Sequence, residues 1–154
     1  RLSEYLGKEV KLAEDENAYR GVTRTWFAHS PLLEVLKFLS NKDVNVFITT
    51  DHGSVRVARP IKIKATKEAS VNLRYKVGRL LDYNPKEVFA VAKPEDILLP
   101  RLNILSPYIF AKANDFFAYP NNYNHYVQYY KNTFQHGGIS MEEVLIPFIH
   151  LKNK

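Results

Sequence analysis

The stretch VNVFITTDHGSVRVARPIKIK, residues 44–64, decides the fold class. Its first part is β-branched and almost entirely apolar, which predicts a buried strand from Val44 to Thr50. Its last part alternates apolar and basic residues with a period of two, which predicts a strand or hairpin with one positively charged face. Pro60 confines that strand to a sheet edge or breaks it.

Helical patterns lie on both sides of this stretch. In the first forty residues apolar side chains recur three and four positions apart, and Ser30-Pro31 is a typical start for the last of these helices. Downstream, NYNHYVQYYKNTF predicts a helix that begins after Asn121 or Asn122 and ends near Gly137. Helices around a buried strand predict an α/β fold.

Shorter segments complete the secondary-structure prediction. We expect a short helix or turn in VNLRYKVGRLL, a strand in EVFAVA and a helical turn in PEDILLP. YIFAKANDFFAYP predicts two strands joined at Asn114-Asp115, and Ser140 to Glu143 predicts a helical turn before a terminal strand.

The chain has 154 residues, 45% hydrophobic and 25% charged, as is typical of one globular domain. Its net charge of +6 is unevenly placed, because the segment from Arg56 to Arg79 holds eight basic residues and one acidic residue, Glu68. This basic segment therefore carries +7, and the rest of the chain is close to neutral. The distribution indicates a local anionic partner.

Composition excludes several classes of protein. The chain has no cysteine, which excludes disulfides and thiolate metal sites and is compatible with a reducing compartment. Apolar runs such as Val88 to Ala92 are far shorter than the roughly 20 residues of a membrane span, and no signal-peptide pattern opens the chain. Because the chain starts at Arg1 and its single methionine is Met141, we expect it to belong to a longer protein.

Asp51 and His52 directly follow the predicted first strand. Ligands gather outside the carboxyl ends of strands in open α/β sheets, and Gly53 permits a turn that directs both side chains to one point. A carboxylate oxygen and an imidazole nitrogen form half of a zinc or manganese site. The alternative is that Asp51 caps a turn while His52 bonds to the backbone, which is the commoner outcome for so short a motif.

A second candidate is His136, which precedes two glycines in TFQHGGIS. Consecutive glycines let the backbone pass close to a ligand, but a histidine at a helix end before a glycine cap needs no ligand. His29, His125 and His150 are weaker candidates, and we interpret them as hydrogen-bonded or solvated.

Ten of the 20 aromatic residues lie between Tyr108 and Phe134. Aromatic rings beside basic residues are typical of single-stranded nucleic-acid binding. However, Tyr123, Tyr126, Tyr130 and Phe134 fall at helical spacing, which favours a helix packed by its aromatic face.

Five stretches carry a family resemblance: DENAYRGVTRTWFAHSPL, FITTDHGSVRV, NLRYKVGRLL, YIFAKANDFFAYPNN and TFQHGGISMEEVLIP. Together they closely resemble the C-terminal half of the PglZ domain in PorX-type response regulators of Bacteroidetes. PglZ domains belong to the alkaline phosphatase superfamily. The resemblance implies an α/β fold with a mixed sheet flanked by helices, in which residues 1–154 form the C-terminal part of a PglZ domain and its N-terminal part precedes this chain.

The resemblance also implies a site with two divalent metal ions, zinc or manganese, bridged by phosphate. The Asp-His pair that follows a central strand of the superfamily corresponds to Asp51 and His52, which would hold one ion. The late histidine before a small residue corresponds to His136, which would hold the other. The Thr or Ser nucleophile and the remaining ligands would lie upstream of Arg1, so the catalytic nucleophile stays unassigned.

In this reading the basic segment faces the phosphate. Arg74 and Lys76 are the preferred contacts and Arg56 the next, since guanidinium and ammonium groups stabilise phosphoryl oxygens.

Three functions follow as hypotheses. The first is a metal-dependent phosphodiesterase or phosphatase acting on phosphate esters, nucleotides or oligonucleotides, within a cytoplasmic two-component regulator of secretion or transcription. The second is a non-catalytic, metal-stabilised regulatory domain that acts as a homodimer on a sigma factor and secretion-system proteins. The third is nucleic-acid binding through the basic segment, with strongly salt-dependent affinity. None of them involves membrane insertion.

Overall fold

The computed structural model describes residues 15–66, 69–101 and 106–152, which cluster into two compact units. The first unit consists of the described residues up to Thr49 together with those from Pro147 onward, and the second of Thr50–Ile146. The helix predicted for the first ten residues lies outside the described part of the chain.

Two helices begin the first unit, α1 (Glu16–Ala28) and α2 (Pro31–Leu39). The carboxylate of Asp15 caps α1 by accepting a 2.8 Å hydrogen bond from a backbone N–H of its first turn. Ser30 is the N-cap residue of α2 and Pro31 is its first helical residue, which confirms the predicted start. Proline fits there because the first helical N–H has no intrahelical partner.

The first unit also contains a two-stranded antiparallel ribbon, in which β1 (Asn45–Thr49) pairs with β9 (Phe148–Lys152). The predicted strand is confirmed, but the prediction that it is buried is wrong. Its side chains alternate between exposed and half-buried, because β9 is the strand neighbour of β1 within the described residues. Phe47, 56% exposed, stacks on the ring of His150 at a centroid distance of 4.4 Å.

The second unit contains the remaining described elements: β2 (Val55–Arg56), β3 (Arg59–Lys62), β4 (Tyr75–Val77), β5 (Val88–Val91), a 3₁₀ turn (Pro94–Ile97), β6 (Tyr108–Ala111), β7 (Asp115–Ala118), α3 (Tyr123–Tyr130), β8 (Phe134–Gln135) and α4 (Met141–Val144). The strand predicted in EVFAVA, the turn in PEDILLP, the two strands around Asn114 and the terminal turn and strand are all confirmed. The result is the expected mixed α/β architecture, built from several small sheets.

The strands of the second unit form three such sheets. β2 pairs antiparallel with β8, β3 pairs parallel with β7, and β6 lies between β4 and β5 in an antiparallel sheet. The alternation predicted for residues 54–64 is confirmed, since its apolar side chains are buried while Arg59, Lys62 and Lys64 are exposed. Pro60 lies in β3, whose strand neighbour in the described chain is β7, as expected for an edge position.

The core of the second unit lies where these sheets meet. One buried apolar cluster joins side chains of β3, β5, β6 and β7 with residues next to β3: Ile61, Ile63, Val88, Ile109, Ala111 and Phe117. All of them are at most 3% exposed, so the alternating stretch that follows Gly53 is anchored on its apolar side.

Two secondary-structure predictions are wrong for the same reason. The segment predicted as a short helix or turn contains β4, because Lys76 and its neighbours pair with the apolar strand β6. The helix predicted to end near Gly137 ends at Tyr130, because the N–H of Asn132 donates to the carbonyl of Val57 at 2.7 Å. In both places pairing with a distant strand overrides the local pattern.

Candidate functional site

The pairing of β2 with β8 brings the two candidate histidines together. Val55 lies opposite Gln135, so the loop that precedes β2 and the loop that follows β8 run beside each other. The imidazole rings of His52 and His136 stack, with centroids 3.8 Å apart and planes inclined by 10°. Residues 84 positions apart in sequence therefore form one local feature of the second unit.

Asp51 lies beside this pair and is open to solvent. Its Oδ1 is 3.7 Å from Nε2 of His52, and the two side chains are 87% and 41% exposed. Hydrogen bonding from its own backbone N–H, and next the proximity of His52, hold the pKa of Asp51 below its usual range. The carboxylate is thus ionised at neutral pH and acts only as an acceptor.

The ring orientation of His52 is fixed by a hydrogen bond. Its Nδ1 lies 2.8 Å from the carbonyl oxygen of Gly53. A carbonyl only accepts, so Nδ1 donates this hydrogen bond, and in the tautomer protonated on Nδ1 alone the lone pair is on Nε2. That lone pair lies on the nitrogen nearer to Asp51. This is the arrangement in which histidine ligates a metal through Nε2 while its other nitrogen is held by the backbone.

The donors of Asp51 and His52 suit a divalent cation chemically. A carboxylate oxygen and an imidazole nitrogen are both zinc and manganese ligands. Their separation of 3.7 Å exceeds a hydrogen bond and is close to the roughly 3.4 Å between two ligand atoms of a tetrahedral ion. Within the described ranges no group of three or more His, Cys, Asp and Glu side chains is arranged to hold a metal ion. The three predicted ligands therefore lie together without forming such a group.

Gly53 is required where it stands. Its N–H donates to the carbonyl of Glu143 at 2.8 Å, so the loop lies directly against α4. A Cβ on Gly53 would lie 2.0 Å from the carbonyl oxygen of Glu142, closer than any side chain permits. The sharp turn predicted after Asp51 and His52 is thus also a close contact between two backbone segments.

Arg74 does not face this surface. It is 0% exposed, and its Nε and Nη2 donate to the two carboxylate oxygens of Glu143 at 2.9 and 2.8 Å. Its other donors reach the carbonyls of Asp115 and Ala113. These are the contacts of a buried structural cation, and the structure places the Arg74 guanidinium inside the unit, away from the surface where we predicted a phosphate contact.

Lys76 is buried as well, at 1% exposure. Its Nζ donates to the carbonyl of Ser70 at 2.7 Å and lies 4.8 Å from the ring centroid of Tyr119. Burial lowers the pKa of Lys76 to about 8. The structure thus places the Lys76 ammonium group inside the protein, where we predicted a substrate contact.

Arg56 is the one predicted phosphate contact that keeps an accessible position. It is half-buried on β2, opposite Phe134, and its Nε donates to the carbonyl of Asn132 at 3.3 Å. It therefore lies on the strand that follows the His52 loop, one residue after Val55, which pairs with Gln135.

The other histidines behave as predicted. Nδ1 of His29 lies 2.9 Å from the carbonyl of Thr25, and Nε2 of His150 lies 2.8 Å from the amide oxygen of Asn45. His125 stacks on a neighbouring tyrosine ring of α3.

The aromatic face of α3 is divided between core and solvent. Tyr123 and Tyr130 pack against a buried cluster that includes Val55 and Phe116, so the packing interpretation is confirmed for them. Tyr126 is 40% exposed and lies outside that cluster.

Glu143 and Asn72 were missed by sequence reasoning. Glu143 is 3% exposed, and its carboxylate accepts from Arg74 and from the backbone N–H groups of Gly138 and Ser140 at 2.9 and 3.2 Å. The spacing Ser-x-x-Glu is that of a helix-capping box and was the available signal. Asn72 offered no comparable signal, since its partners lie in distant segments.

The mixed α/β architecture, with helices and several small sheets, is consistent with an alkaline-phosphatase-like domain. The family model described as BREX system PglZ alkaline phosphatase-like domain matches residues 7–151. The chain therefore belongs to the PglZ family. A search of curated proteins finds no match. In the described part of the chain no helix has the length and apolar character needed to cross a bilayer.

We expect Glu143→Gln to destabilise the protein by about 3–5 kcal/mol, because it leaves the buried guanidinium of Arg74 without a counter-charge. Glu142→Gln is the matched control, since Glu142 is the exposed neighbour on the same helix. The midpoints of urea unfolding measure both. Equal effects of the two substitutions would contradict the assignment.

The same ion pair predicts acid sensitivity. Burial alone would raise the pKa of Glu143, but hydrogen bonds from Arg74, Gly138 and Ser140 outweigh it and hold the pKa below the ordinary 4.5. The stabilisation is therefore complete above pH 4.5 and is lost as the pH falls through the lowered folded-state value. The difference in the free energy of unfolding between wild type and Glu143→Gln should become smaller in that acid range.

The burial of Lys76 predicts that the free energy of unfolding also depends on pH in the alkaline range. Its folded-state pKa is about 8 and its ordinary value 10.5, so the unfolded chain binds more protons between them and stability rises with pH. We expect a rise of up to about 3 kcal/mol from pH 8 to 10.5 that Lys76→Met abolishes. The control is Lys62→Met, which removes an exposed lysine lying 4.8 Å from the ring centroid of Tyr123. If stability still rises with pH to the same extent in Lys76→Met, the rise does not come from Lys76.

Proposed function

We propose that the intact protein is a metal-dependent phosphodiesterase or phosphatase of the PglZ family. In this proposal Asp51 and His52 hold one divalent ion and His136 holds a second, with further ligands and the nucleophile supplied from outside the described residues. The stacked histidine pair carries the proposal, because it joins the two motifs on which the metal assignment rests.

The spacing of the rings supports two ions rather than one shared ion. The lone pair of an imidazole nitrogen lies in the plane of its ring, so two parallel rings direct their lone pairs along separate planes. The ring centroids are 3.8 Å apart, so the two imidazoles lie in neighbouring parallel planes. In the proposal His52 and His136 would bind neighbouring ions, one each.

When bound, such ions activate a nucleophile and neutralise charge on the transferred phosphoryl group. The protein residues contribute orientation and charge. The backbone of Gly53 fixes the His52 ring, and the lowered pKa keeps Asp51 ionised. In the proposal Arg56, which is half-buried on β2 after the His52 loop, supplies positive charge to a phosphate ester, a nucleotide or an oligonucleotide.

The proposed setting is a cytoplasmic two-component response regulator that controls secretion or transcription. Its support is the resemblance of the five sequence motifs to the PglZ domain of PorX-type regulators.

We expect Asp51→Asn, His52→Ala and His136→Ala each to lower turnover of bis(p-nitrophenyl) phosphate by the intact protein by more than about tenfold, because each removes a donor that holds a catalytic ion. Chelation should abolish turnover, and added zinc or manganese should restore it. Bound metal per protein, measured by mass spectrometry, should fall in the same variants.

His125→Ala is the matched control, since His125 is an exposed histidine on α3 in contact with tyrosine rings. It should leave turnover and metal content unchanged. Turnover that is insensitive to chelator and to all three substitutions would contradict the proposal.

A second candidate is a regulatory domain in which metal is structural and the output is homodimerisation or contact with a sigma factor or secretion protein. Exposed aromatic side chains of the first unit favour it, with Phe38, Phe47 and Phe148 at 63%, 56% and 71% exposure. Metal that raises the melting temperature or changes the oligomeric state, without turnover of any phosphate ester, would favour this candidate over catalysis.

A further inference from the structure

We infer that Asn72 and Glu143 are positioning residues that hold the His136 loop against the His52 loop. The inference rests on the proposed function for its consequence, which is metal affinity, but its geometric part is independent of that function. Neither residue is a predicted ligand. Glu143 is hydrogen-bonded to both histidine loops, and Asn72 is hydrogen-bonded to the His136 loop and to Arg74, which in turn binds Glu143.

Glu143 contacts both loops at once. Its carboxylate accepts from the N–H groups of Gly138 and Ser140, which follow His136, and its backbone carbonyl accepts from the N–H of Gly53, which follows His52. One residue therefore fixes the backbone two positions after His136 and one position after His52.

Asn72 holds the His136 loop through a second set of bonds. Its Nδ2 donates to the carbonyl of His136 at 3.1 Å, while its Oδ1 accepts from the backbone N–H of Arg74 at 2.6 Å and of Tyr75 at 3.2 Å. The amide thus uses both ends, and it ties the backbone of His136 to the start of β4.

The next residue, Gly137, shows how close this contact is. Its φ of +98° lies in the region that glycine adopts without strain, and a Cβ there would lie 2.5 Å from Nδ2 of Asn72. The chain therefore bends directly after His136, with the Asn72 amide close against its backbone. A side chain at position 137 would push the loop, and with it the imidazole, away from β4.

Arg74 joins the two contacts. Its backbone N–H donates to Asn72 and its guanidinium donates to Glu143, so a movement of either residue is transmitted to the other. A buried cation next to the site thereby acts on the histidines through the backbone and not through substrate. Groups that orient metal ligands in this way typically change metal affinity by about 10- to 100-fold.

Asn72→Asp is the sharpest test. It keeps the oxygen that accepts from Arg74 and Tyr75, but it replaces the donor to the His136 carbonyl by a second oxygen, which that carbonyl repels. Asn84→Asp is the matched control, because its amide oxygen only caps a turn by accepting from the N–H of Lys86 at 3.1 Å. Measuring the melting temperatures of both variants checks that each is folded.

The first readout needs no metal. In the chelated intact protein with labelled histidine, ring protons of His52 and His136 should show a nuclear Overhauser contact, assigned with His52→Ala and His136→Ala. We expect the contact in wild type and Asn84→Asp and its loss in Asn72→Asp. A contact that persists in Asn72→Asp, or is missing in wild type, overturns the inference whatever the protein catalyses.

The second readout is zinc binding and kinetics. Asn72→Asp should raise the apparent zinc dissociation constant about 10- to 100-fold, while kcat and KM at saturating zinc stay near wild type. A purely structural role would instead lower the active fraction at every zinc concentration. If Asn72→Asp loses the ring contact but the wild-type protein binds no zinc and turns over no phosphodiester, the positioning inference stands and the proposed function is refuted. An unchanged zinc constant despite the lost contact would overturn the consequence for metal.

Discussion

The buried ion pair between Arg74 and Glu143 is the interaction on which the second unit depends. Both side chains are at most 1% exposed, and the bidentate geometry satisfies the guanidinium and the carboxylate together. Their remaining hydrogen bonds reach the β6–β7 turn and the loop after β8, so three segments distant in sequence, around residues 74, 113–115 and 138–143, meet at one charge pair. A charge buried here is tolerable only while both partners stay in place, which makes the arrangement all-or-none.

Ion pairs within the unit also change the interpretation of the basic segment, which we predicted to face an anionic partner. Arg59 binds Asp115 in a bidentate pair with bonds of 2.7 and 2.6 Å, and Lys64 lies 3.2 Å from a carboxylate oxygen of Asp82. Together with Arg74, these cations find their acidic partners outside the segment but inside the same unit. Part of the +7 charge is therefore neutralised by acidic residues of the same unit, and three of the eight basic residues join segments that are distant in sequence.

The sequence predicted elements where one local pattern dominates and missed contacts between distant residues. Alternation predicted the burial of Ile61 and Ile63, and the Ser30-Pro31 pair predicted the start of α2, since both signals are confined to a few neighbouring residues. The strand at Lys76 was missed because its partner is β6, more than thirty positions away. Asp51, His52 and His136 were found from motifs, whereas the burial of Arg74 depends on Glu143, which no local pattern connects to it.

The ribbon of β1 and β9 has a consequence for how the protein is made. The chain leaves the first unit at Thr49, completes the entire second unit and returns at Pro147, so Asn45 meets His150 across 105 positions. During synthesis β1 emerges long before β9, and its apolar edge stays unpaired while the second unit forms. Contacts of such high sequence separation are slow to close. Pairing with β9, which follows the whole second unit in the sequence, is thus the step that covers this edge of β1.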